Sequence, residues 1–366
     1  MPIHLTAGVM THPSRKDNAL RVIRSQGDLA VELVEDPVPH GRPGAARTAQ
    51  RAWEAMPDAS THHLLLQDDI MATEGLAGHL ADVIAQVPDA PLCLFTEWAS
   101  RTAQAVRLSV LEGHGLVEVV DRLHTTQGVV LPAGIVRDFT AHLRGSGIDM
   151  VNAVADADLL FEFLRAEGHT VYVTAPNLVE HIELPSLLTN DILRGPRQSP
   201  CFDPSLPPRA WSVEPAGRAA VIPHMSTDGR SYCHRRDDGG GWSSGQTVDW
   251  LAELGVPLPH LFASFRSELA ALPQAHQVRA AVSDPLVFQL WLTALASGQV
   301  MRAERGYDRA ALAAALAEPT AELAWSTLVP GALRKTLPVE LGHTLGRALK
   351  PMLTRALLDA AGLFEG

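Results

Sequence analysis

The chain has 366 residues, 46% of them hydrophobic, and a formal net charge of −11. This size predicts one large core or two ordinary domains, of which we favour two. The acidic balance argues against a protein that neutralises nucleic-acid phosphates over a broad basic face, although a local anion pocket is allowed. No apolar run reaches the roughly 20 residues of a membrane span, and the N-terminus lacks a signal-peptide pattern. We therefore expect a cytoplasmic protein without a transmembrane segment, whose distant Cys93, Cys201 and Cys233 are reduced thiols.

The first half of the chain alternates strand-like and helix-like segments, which is typical of a mostly parallel sheet flanked by helices. The predicted strands are Ile3 to Met10, Leu29 to Val34, a strand through Leu64 to Leu66, Pro91 to Thr96, Gln127 to Leu131 and Thr170 to Val173. The predicted helices are Ser14 to Ser25, Ala45 to Met56, Ala72 to Ala85, Ile135 to Leu143 and Asp156 to Glu167. We therefore predict one α/β domain over residues 1–194.

The second half divides into two segments of different composition. Prolines and glycines accumulate over residues 195–245, which predicts a linker or lid. Within it, an Asp-Gly turn at Asp228 and Gly229 predicts a short hairpin between Ala219–Met225 and Arg230–His234. Residues 246–366 are rich in Ala and Leu at amphipathic spacing, which predicts an all-α region. Its predicted helices are His260 to Ala271, Pro285 to Ser297, Asp308 to Ala317 and Pro338 to about Ala361.

The most informative segment runs from His63 to Ile70 and reads His-Leu-Leu-Leu-Gln-Asp-Asp-Ile. It begins as a buried strand and ends in two adjacent acids, Asp68 and Asp69, that a core would not accept unpaired. Ligands of open α/β sheets bind at such strand ends, where two carboxylates beside a phosphate-rich ligand can hold a hard divalent cation. The alternative is a strand that simply stops in a solvated turn.

A second acidic cluster begins the helix predicted from Asp156. Leu159 and Phe163 recur at helical spacing and form a core face, so Asp156 and Asp158 fall in the first turn. Both acids could simply cap the helix, because its dipole favours negative charge there. His181 lies farther along, after an apolar segment, and could be a ligand or an ordinary packed histidine.

Four features in this order resemble the nucleotide-sugar glycosyltransferases of the GT-A fold, particularly bacterial family 2-like members, over about Met1 to Pro185. They are Thr11 to Arg15 after the first strand, Gly44 to Trp53 before the acidic strand, Gln67-Asp68-Asp69 in the place of the Asp-x-Asp signature, and Ala155 to Leu159 followed by His181. The resemblance implies a Rossmann-like GT-A catalytic domain over residues 1–194. It implies a metal-dependent, inverting hexosyl- or related transferase that moves a sugar from a nucleoside diphosphate sugar to an acceptor hydroxyl.

The resemblance also implies roles for individual residues. Asp69 and His181 would hold Mn²⁺ or Mg²⁺, with Mn²⁺ favoured because imidazole suits it better. Asp156 would take the proton of the acceptor, with Asp158 as the nearby substitute. The acceptor would be a small molecule, a glycan or a peptide, and residues 246–366 would recognise it or form a homo-oligomer.

Six further residues are candidate contacts of the nucleotide part of the donor. They are Thr11, Arg15, Asp36, Arg47, Gln67 and Asp68. A guanidinium matches phosphate geometry, but Arg15 and Arg47 could equally be solvated helix residues. Asp36 lies where a base or ribose contact would lie at a strand end, or it is a turn acid before Pro37.

Departures from the family pattern keep two other readings open. Gln67 stands where an acid is usual, and Thr48 and Ala155 also depart from the pattern. The first alternative is a nucleotide-sugar-binding or interaction protein that has lost catalysis. The second is a nucleotidyltransferase, which should carry a glycine- and lysine-rich loop near the first strand, and the segment Thr11 to Lys16 is not such a loop.

Overall fold

A computed structural model describes residues 2–27, 29–41, 44–122, 124–151, 155–187, 193–215 and 220–360. They form two compact units, Met1–Glu97 with His114–Glu214, and Trp98–Gly113 with Pro215–Gly366. These units differ from the predicted division at residues 194 and 245. The difference arises because Leu206 and Trp211 join the core of the first unit, whereas Arg107 bonds to the Ala324 carbonyl within the second. The roles predicted for residues 1–194, 195–245 and 246–366 stay predictions.

The first unit is built on a seven-stranded sheet in the order β2-β1-β3-β7-β5-β8-β6. Its strands are β1 (Leu5–Thr11), β2 (Val31–Glu35), β3 (His62–Gln67), β5 (Leu92–Cys93), β6 (Leu116–Glu118), β7 (Gly128–Pro132) and β8 (Tyr172–Thr174). A separate antiparallel pair is formed by β4 (Ile70–Ala72) and β9 (Val179–His181). In the larger sheet only β7 and β6 run against the other described strands, so the predicted mostly parallel sheet is confirmed.

Helices flank this sheet because each carries an apolar face. They are α1 (Lys16–Ser25), α2 (Ala46–Glu54), α3 (Leu76–Gln86), α5 (Ala133–Gly145) and α6 (Asp156–Ala166). In α2, Ala49, Ala52 and Trp53 recur at helical spacing and are buried against β1, β3 and α5. Strand β3 lies between β1 and β7, and its residues from His62 to Leu66 are all buried. Gln67, Asp68 and Asp69 are therefore delivered by the most protected part of the sheet.

The second unit contains a three-stranded antiparallel sheet and helices. The sheet consists of β10 (Val221–Met225), β11 (Ser231–Arg236) and β12 (Trp242–Gln246). The helices are α4 (Arg101–Leu111), α7 (Thr247–Glu253), α8 (Leu258–Ala270), α9 (Ala275–Ala281), α10 (Asp284–Ala303), α11 (Arg309–Leu316), α12 (Pro319–Ser326), α13 (Leu328–Leu333) and α14 (Val339–Leu358). The predicted helical C-terminal region is confirmed. Gly298 lets α10 approach α14 closely, because a Cβ there would collide with the Leu357 carbonyl.

Several predicted boundaries move in the structure. The hairpin around Asp228 and Gly229 is present, with β12 added as a third strand that was not predicted. The helix predicted from Ala72 begins at Leu76, because residues 70–72 form β4. Helix α4 was not predicted. Ala219 and Ala361, the predicted ends of the hairpin and of the last helix, lie outside the described residues.

No single helix in the described residues is long and apolar enough to cross a membrane, although α9 and α10 reach that length and composition when taken together across a 112° bend.

Candidate functional site

The ends of β1, β2 and β3 bring most of the predicted site residues to one edge of the sheet. The three strands are parallel neighbours, with Thr11 paired to Glu35 and Met10 paired to Gln67. Thr11 and Gln67 therefore end their strands, and Asp36, Asp68 and Asp69 follow directly after the carboxyl ends of β2 and β3. This edge is the usual ligand-binding place of an open α/β sheet.

Asp68 is buried and is held by partners from the end of β1. The Thr11 hydroxyl donates a hydrogen bond to Asp68 Oδ2. The guanidinium of Arg15 lies 3.6 Å from Asp68 Oδ1 and 3.8 Å from Asp69 Oδ2. Burial raises the pKa of Asp68 above its usual value, in spite of the hydrogen bond from Thr11 and the charge of Arg15. Three of the predicted residues thus form one cluster with Asp69.

Asp69 is brought together with His181 by the pairing of β4 and β9. Ile70 stands opposite His181 in this ladder, and the Ile182 amide donates to the Asp69 carbonyl at 2.7 Å. His181 Nε2 then lies 3.4 Å from Asp69 Oδ2, and its Nδ1 lies 3.4 Å from Glu183 Oε1. Burial by itself would lower the pKa of His181, but the two carboxylates raise it to about 9. The imidazole is therefore held as a cation near neutral pH.

The same interactions act on Asp69. Burial opposes its ionisation, but His181, Arg15 and Arg197 together lower the pKa of Asp69 below its usual value. Asp69 Oδ1 is buried and has no hydrogen-bond partner among the described residues. One lone-pair-bearing atom at the centre of the cluster is thus left for a ligand or a solvent molecule.

Arg197 is a member of this cluster that the sequence did not identify. Its Nη2 lies 3.1 Å from His181 Nε2, and its backbone amide donates to Glu183. A protonated Nε2 would donate toward Asp69, and an unprotonated Nε2 would accept from Arg197. Arg197 lies in the predicted linker and Glu183 in no motif, so only the folded chain brings them to the site.

The expected Mn²⁺ or Mg²⁺ site does not fit the side chains as they are placed. Asp69 and His181 supply two donors, and no group of three or more His, Cys, Asp or Glu side chains in the described part of the chain could hold a metal ion. Arg15 contacts the acid of this pair, and Arg197 contacts the imidazole. Divalent metals prefer carboxylate and neutral imidazole ligands without competing cations. Two guanidinium groups therefore stand where a metal ion was expected.

Asp156 is linked to the end of β3 through a single hydroxyl group. Gln67 Nε2 donates to Thr126 Oγ1 at 2.9 Å, and Thr126 Oγ1 donates to Asp156 Oδ2 at 2.7 Å. A hydroxyl has one proton, so the bond from Gln67 leaves that proton for Asp156. Burial raises the pKa of Asp156, while Thr126 and the first backbone amides of α6 lower it, and the net direction is upward. Thr126 carried no signal in the sequence.

A small pocket opens beside Asp156. Its polar lining consists of Gln50, Thr126 and Asp156, and most of its walls are apolar side chains, among them Trp53 and Phe139. These walls keep water from one side of the carboxylate. Asp158, the second candidate for the base, is exposed on the same first turn.

The structure pairs Asp36 and Arg47 with each other. Arg47 Nε and Nη2 each donate to Asp36 at 2.7 Å, and both side chains are buried. Arg47 also donates to the carbonyls of Val38 and Val151. Burial opposes ionisation of Asp36, but the guanidinium holds its pKa below the usual value. This pair closes the end of β2, and the predicted nucleotide contacts of both residues stay predictions.

No protein-family model and no curated protein sequence matches the chain. Among solved structures, a mutant Drosophila beta-1,4-galactosyltransferase 7 in complex with manganese, UDP-Gal and xylobiose is similar at a TM-score of 0.33 and 10% identity, over 50% of this chain and 72% of that chain. The inositol-1-phosphate CTP transferase of T. maritima is similar at 0.29 and 12% identity, over 51% of this chain and 76% of that chain. Both are transferases, but likenesses this distant do not define an activity.

Proposed function

We propose that this chain is a transferase that moves a sugar from a nucleoside diphosphate sugar to an acceptor hydroxyl. The observation that carries the proposal is the continuity between the two acidic clusters. The end of β3 holds Asp68 and Asp69 beside cationic side chains, and Gln67 of the same strand reaches Asp156 through Thr126. The cationic side chains thus contact the acids at the end of β3, and Asp156, at the start of α6, is joined to the same strand end through Thr126.

The reaction needs both groups at the same moment. The acceptor oxygen attacks the anomeric carbon while its proton passes to the Asp156 carboxylate. The bond between the anomeric carbon and the diphosphate oxygen breaks, and its electron pair leaves with the nucleoside diphosphate. Negative charge therefore grows on the leaving group, where the cluster of Arg15, Arg197 and His181 lies in this proposal. Attack opposite the leaving group inverts the anomeric centre.

The environment of Asp156 suits a general base. A raised pKa makes the carboxylate a stronger proton acceptor, provided that it is still ionised at the working pH. Thr126 and the first backbone amides of α6 orient the carboxylate, which in this proposal accepts the proton of the acceptor hydroxyl. Asp158 is exposed and makes no comparable hydrogen bond with a hydroxyl in the described part of the chain, so we assign the base to Asp156.

The remaining predicted residues take supporting places in the proposal. Thr11 and Asp68 form the wall of the donor site at the end of β1. Asp36 and Arg47 shape the end of β2, where the nucleoside would lie. We assign acceptor recognition or self-association to residues 246–366.

The test measures release of nucleoside diphosphate from UDP-, GDP- and dTDP-hexoses, with water as the acceptor. Asp156→Asn keeps the shape of the side chain but cannot accept the proton, so turnover should fall by about 10²-fold or more while donor affinity is retained. Glu162→Gln is the matched control, because it removes a carboxylate from the exposed face of the same helix. Asp158→Asn should lower turnover far less than Asp156→Asn.

Each result points to one reading. Wild-type turnover in Asp156→Asn contradicts the assignment of the base. Donor binding without turnover in the wild-type protein favours the binding-protein alternative, whereas release of pyrophosphate from a nucleoside triphosphate favours nucleotidyl transfer.

A further inference from the structure

Two guanidinium groups approach the Asp69–His181 pair from different segments of the chain. Arg15 comes from the turn of 3₁₀ helix between β1 and α1, and Arg197 comes from the segment after β9. Arg15 lies within 4 Å of both Asp68 and Asp69, and Arg197 lies 3.1 Å from His181 Nε2. The centre of the cluster is therefore already bordered by fixed positive charge.

The guanidinium group of Arg15 retains hydrogen-bonding capacity toward a ligand. The distances of 3.6 and 3.8 Å from Arg15 to the two acids exceed the roughly 2.7–3.2 Å of an N–H···O hydrogen bond. The hydrogen bond that Arg15 does make is from Nη2 to the Pro185 carbonyl. A guanidinium presents five N–H donors in a planar fork that matches phosphate oxygens two at a time. The acids orient Arg15 without saturating its fork.

The charges around the cluster determine what it can bind. Asp68, Asp69 and Glu183 supply the carboxylates, and Arg15, Arg197 and His181 supply the cations. A divalent metal ion bound here would be repelled by the positive charges of the two guanidinium groups. A diphosphate would instead accept hydrogen bonds from the two guanidinium groups, although the Asp69 carboxylate would repel it. Binding of the diphosphate thus depends on the arginines rather than on the acids.

We propose that Arg15 and Arg197 hold the diphosphate of the donor in the position that the resemblance assigns to a metal ion, so that nucleoside diphosphate binding does not require a divalent cation. The inference deepens the proposed function and rests on it for the identity of the ligand. It also gives Asp68 and Asp69 a different role, because they place the arginine side chains instead of ligating a metal.

The test is calorimetric titration of the full-length protein with UDP, GDP and dTDP, each in excess EDTA and again in Mn²⁺. We expect binding of at least one of them in EDTA, with an affinity changed less than about threefold by Mn²⁺. Arg15→Met and Arg197→Met should each weaken diphosphate binding about tenfold or more in EDTA, because each removes the charge-assisted hydrogen bonds of one guanidinium group. Arg15→Lys should fall between Arg15→Met and the wild type, because a lysine keeps the charge without the fork.

Arg24→Met is the matched control, because Arg24 is exposed on α1 and its removal changes the net charge equally. Asp69→Asn separates the two models further. If the arginines bind the diphosphate, Asp69→Asn weakens binding less than either arginine variant, since it also removes a repulsive charge. If a metal ion binds it, Asp69→Asn is the most damaging substitution.

The outcomes distinguish this inference from the proposed function. Binding that appears only with Mn²⁺ and is insensitive to Arg15→Met and Arg197→Met overturns the inference and leaves the proposed function standing. Absence of binding of all three diphosphates in both conditions overturns the donor site and the inference together. If an arginine variant does not fold, the diphosphate affinities of the wild-type protein in EDTA and in Mn²⁺ still show whether binding requires a divalent cation.

Discussion

Two contacts between a carboxylate and a guanidinium lie at the same edge of the sheet and differ in almost every physical respect. Asp36 and Arg47, at the end of β2, meet through two hydrogen bonds of 2.7 Å, with side chains that are 5% and 4% exposed. Arg15, after β1, stands 3.6 and 3.8 Å from Asp68 and Asp69 and is 15% exposed. We call the first contact closed, because the two side chains hydrogen-bond to each other. We call the second contact open, because its longer distances leave donors of Arg15 for a ligand.

The difference separates a structural ion pair from a candidate binding site. In a closed, buried pair each charge is the main compensation for the other, so the loss of one partner leaves a buried charge unpaired. In the open contact the distances are longer and each acid has a second partner, Thr11 for Asp68 and His181 for Asp69, so the loss of Arg15 leaves neither acid without compensation. Folding should therefore depend on Arg47 and ligand binding on Arg15.

The largest expected effect on stability comes from Arg47→Met. This substitution leaves Asp36 buried without its guanidinium, so the free energy of unfolding should fall by about 3–5 kcal/mol. Arg15→Met should lower it less, because Thr11 still donates to Asp68 and His181 still faces Asp69. Urea unfolding followed by tryptophan fluorescence measures both, since Trp53 is buried on the same helix as Arg47. Equal losses in the two variants would remove the distinction between closed and open contacts.

A double substitution sharpens the same comparison. In Asp36→Leu with Arg47→Met, no buried charge remains, so part of the lost stability should return. A double variant no more stable than Arg47→Met alone would show that the pair contributes more than mutual neutralisation.

The second largest effect on stability concerns His63, a buried histidine of β3 whose two ring nitrogens both have hydrogen-bond partners. Its Nδ1 lies 2.9 Å from Thr6 Oγ1, and its Nε2 lies 3.0 Å from the Ala52 carbonyl. Burial lowers the pKa of His63 to about 4, whereas the histidine of the unfolded chain keeps its ordinary pKa of 6.5. Between these two pH values the folded protein holds a neutral ring that the unfolded chain protonates. The contribution to stability is therefore complete above pH 6.5 and is lost as the pH falls toward 4.

The loss should approach about 3 kcal/mol at pH 4, because each pKa unit is worth about 1.4 kcal/mol. Urea unfolding of the wild type and of His63→Gln across pH 4–7.5 measures it. The variant should be less stable at neutral pH and should show a flatter pH dependence. Parallel curves for the two proteins would mean that other groups cause the acid sensitivity.

Much of the fold was predictable from the sequence because it rests on local periodicity. Helix α2 was predicted from Ala45 to Met56 and spans Ala46–Glu54, since its apolar face follows the 3.6-residue repeat. Helix α4 was missed because every residue from Thr102 to Leu111 is buried, which leaves no polar face to mark it. Strand β4 was missed because three residues carry no pattern, and its partner β9 lies more than a hundred residues away.

The candidate site likewise contains residues that the sequence could predict and residues that it could not. The acids at the end of β3 and His181 could be singled out because a strand signal and a resemblance to a family motif pointed to them. Arg197 and Thr126 could not, because each acquires its place only through tertiary contacts with His181 and Asp156. The arginines beside the expected metal ligands could not be placed there either, since no local pattern shows that Arg15 and Arg197 reach Asp69 and His181.

The smallest expected effect tests Gln67, which links the open cluster to the base. In Gln67→Glu a carboxylate replaces the amide that donates to Thr126, so the Thr126 proton turns toward residue 67 and Asp156 loses its donor. A new negative charge one hydroxyl away also opposes ionisation of Asp156, and both changes raise its pKa further. The acidic limb of the pH profile of kcat/KM should therefore move upward by roughly one unit, with turnover near pH 6 reduced about tenfold and recovered at higher pH. Thr126→Val should shift the profile in the same direction, whereas Gln86→Glu, which adds the same charge at the exposed end of α3, should not. A metal-dependent site predicts the reverse, because an acid restored at position 67 would complete the Asp-x-Asp-like ligand set, and faster turnover of Gln67→Glu in Mn²⁺ would decide in its favour.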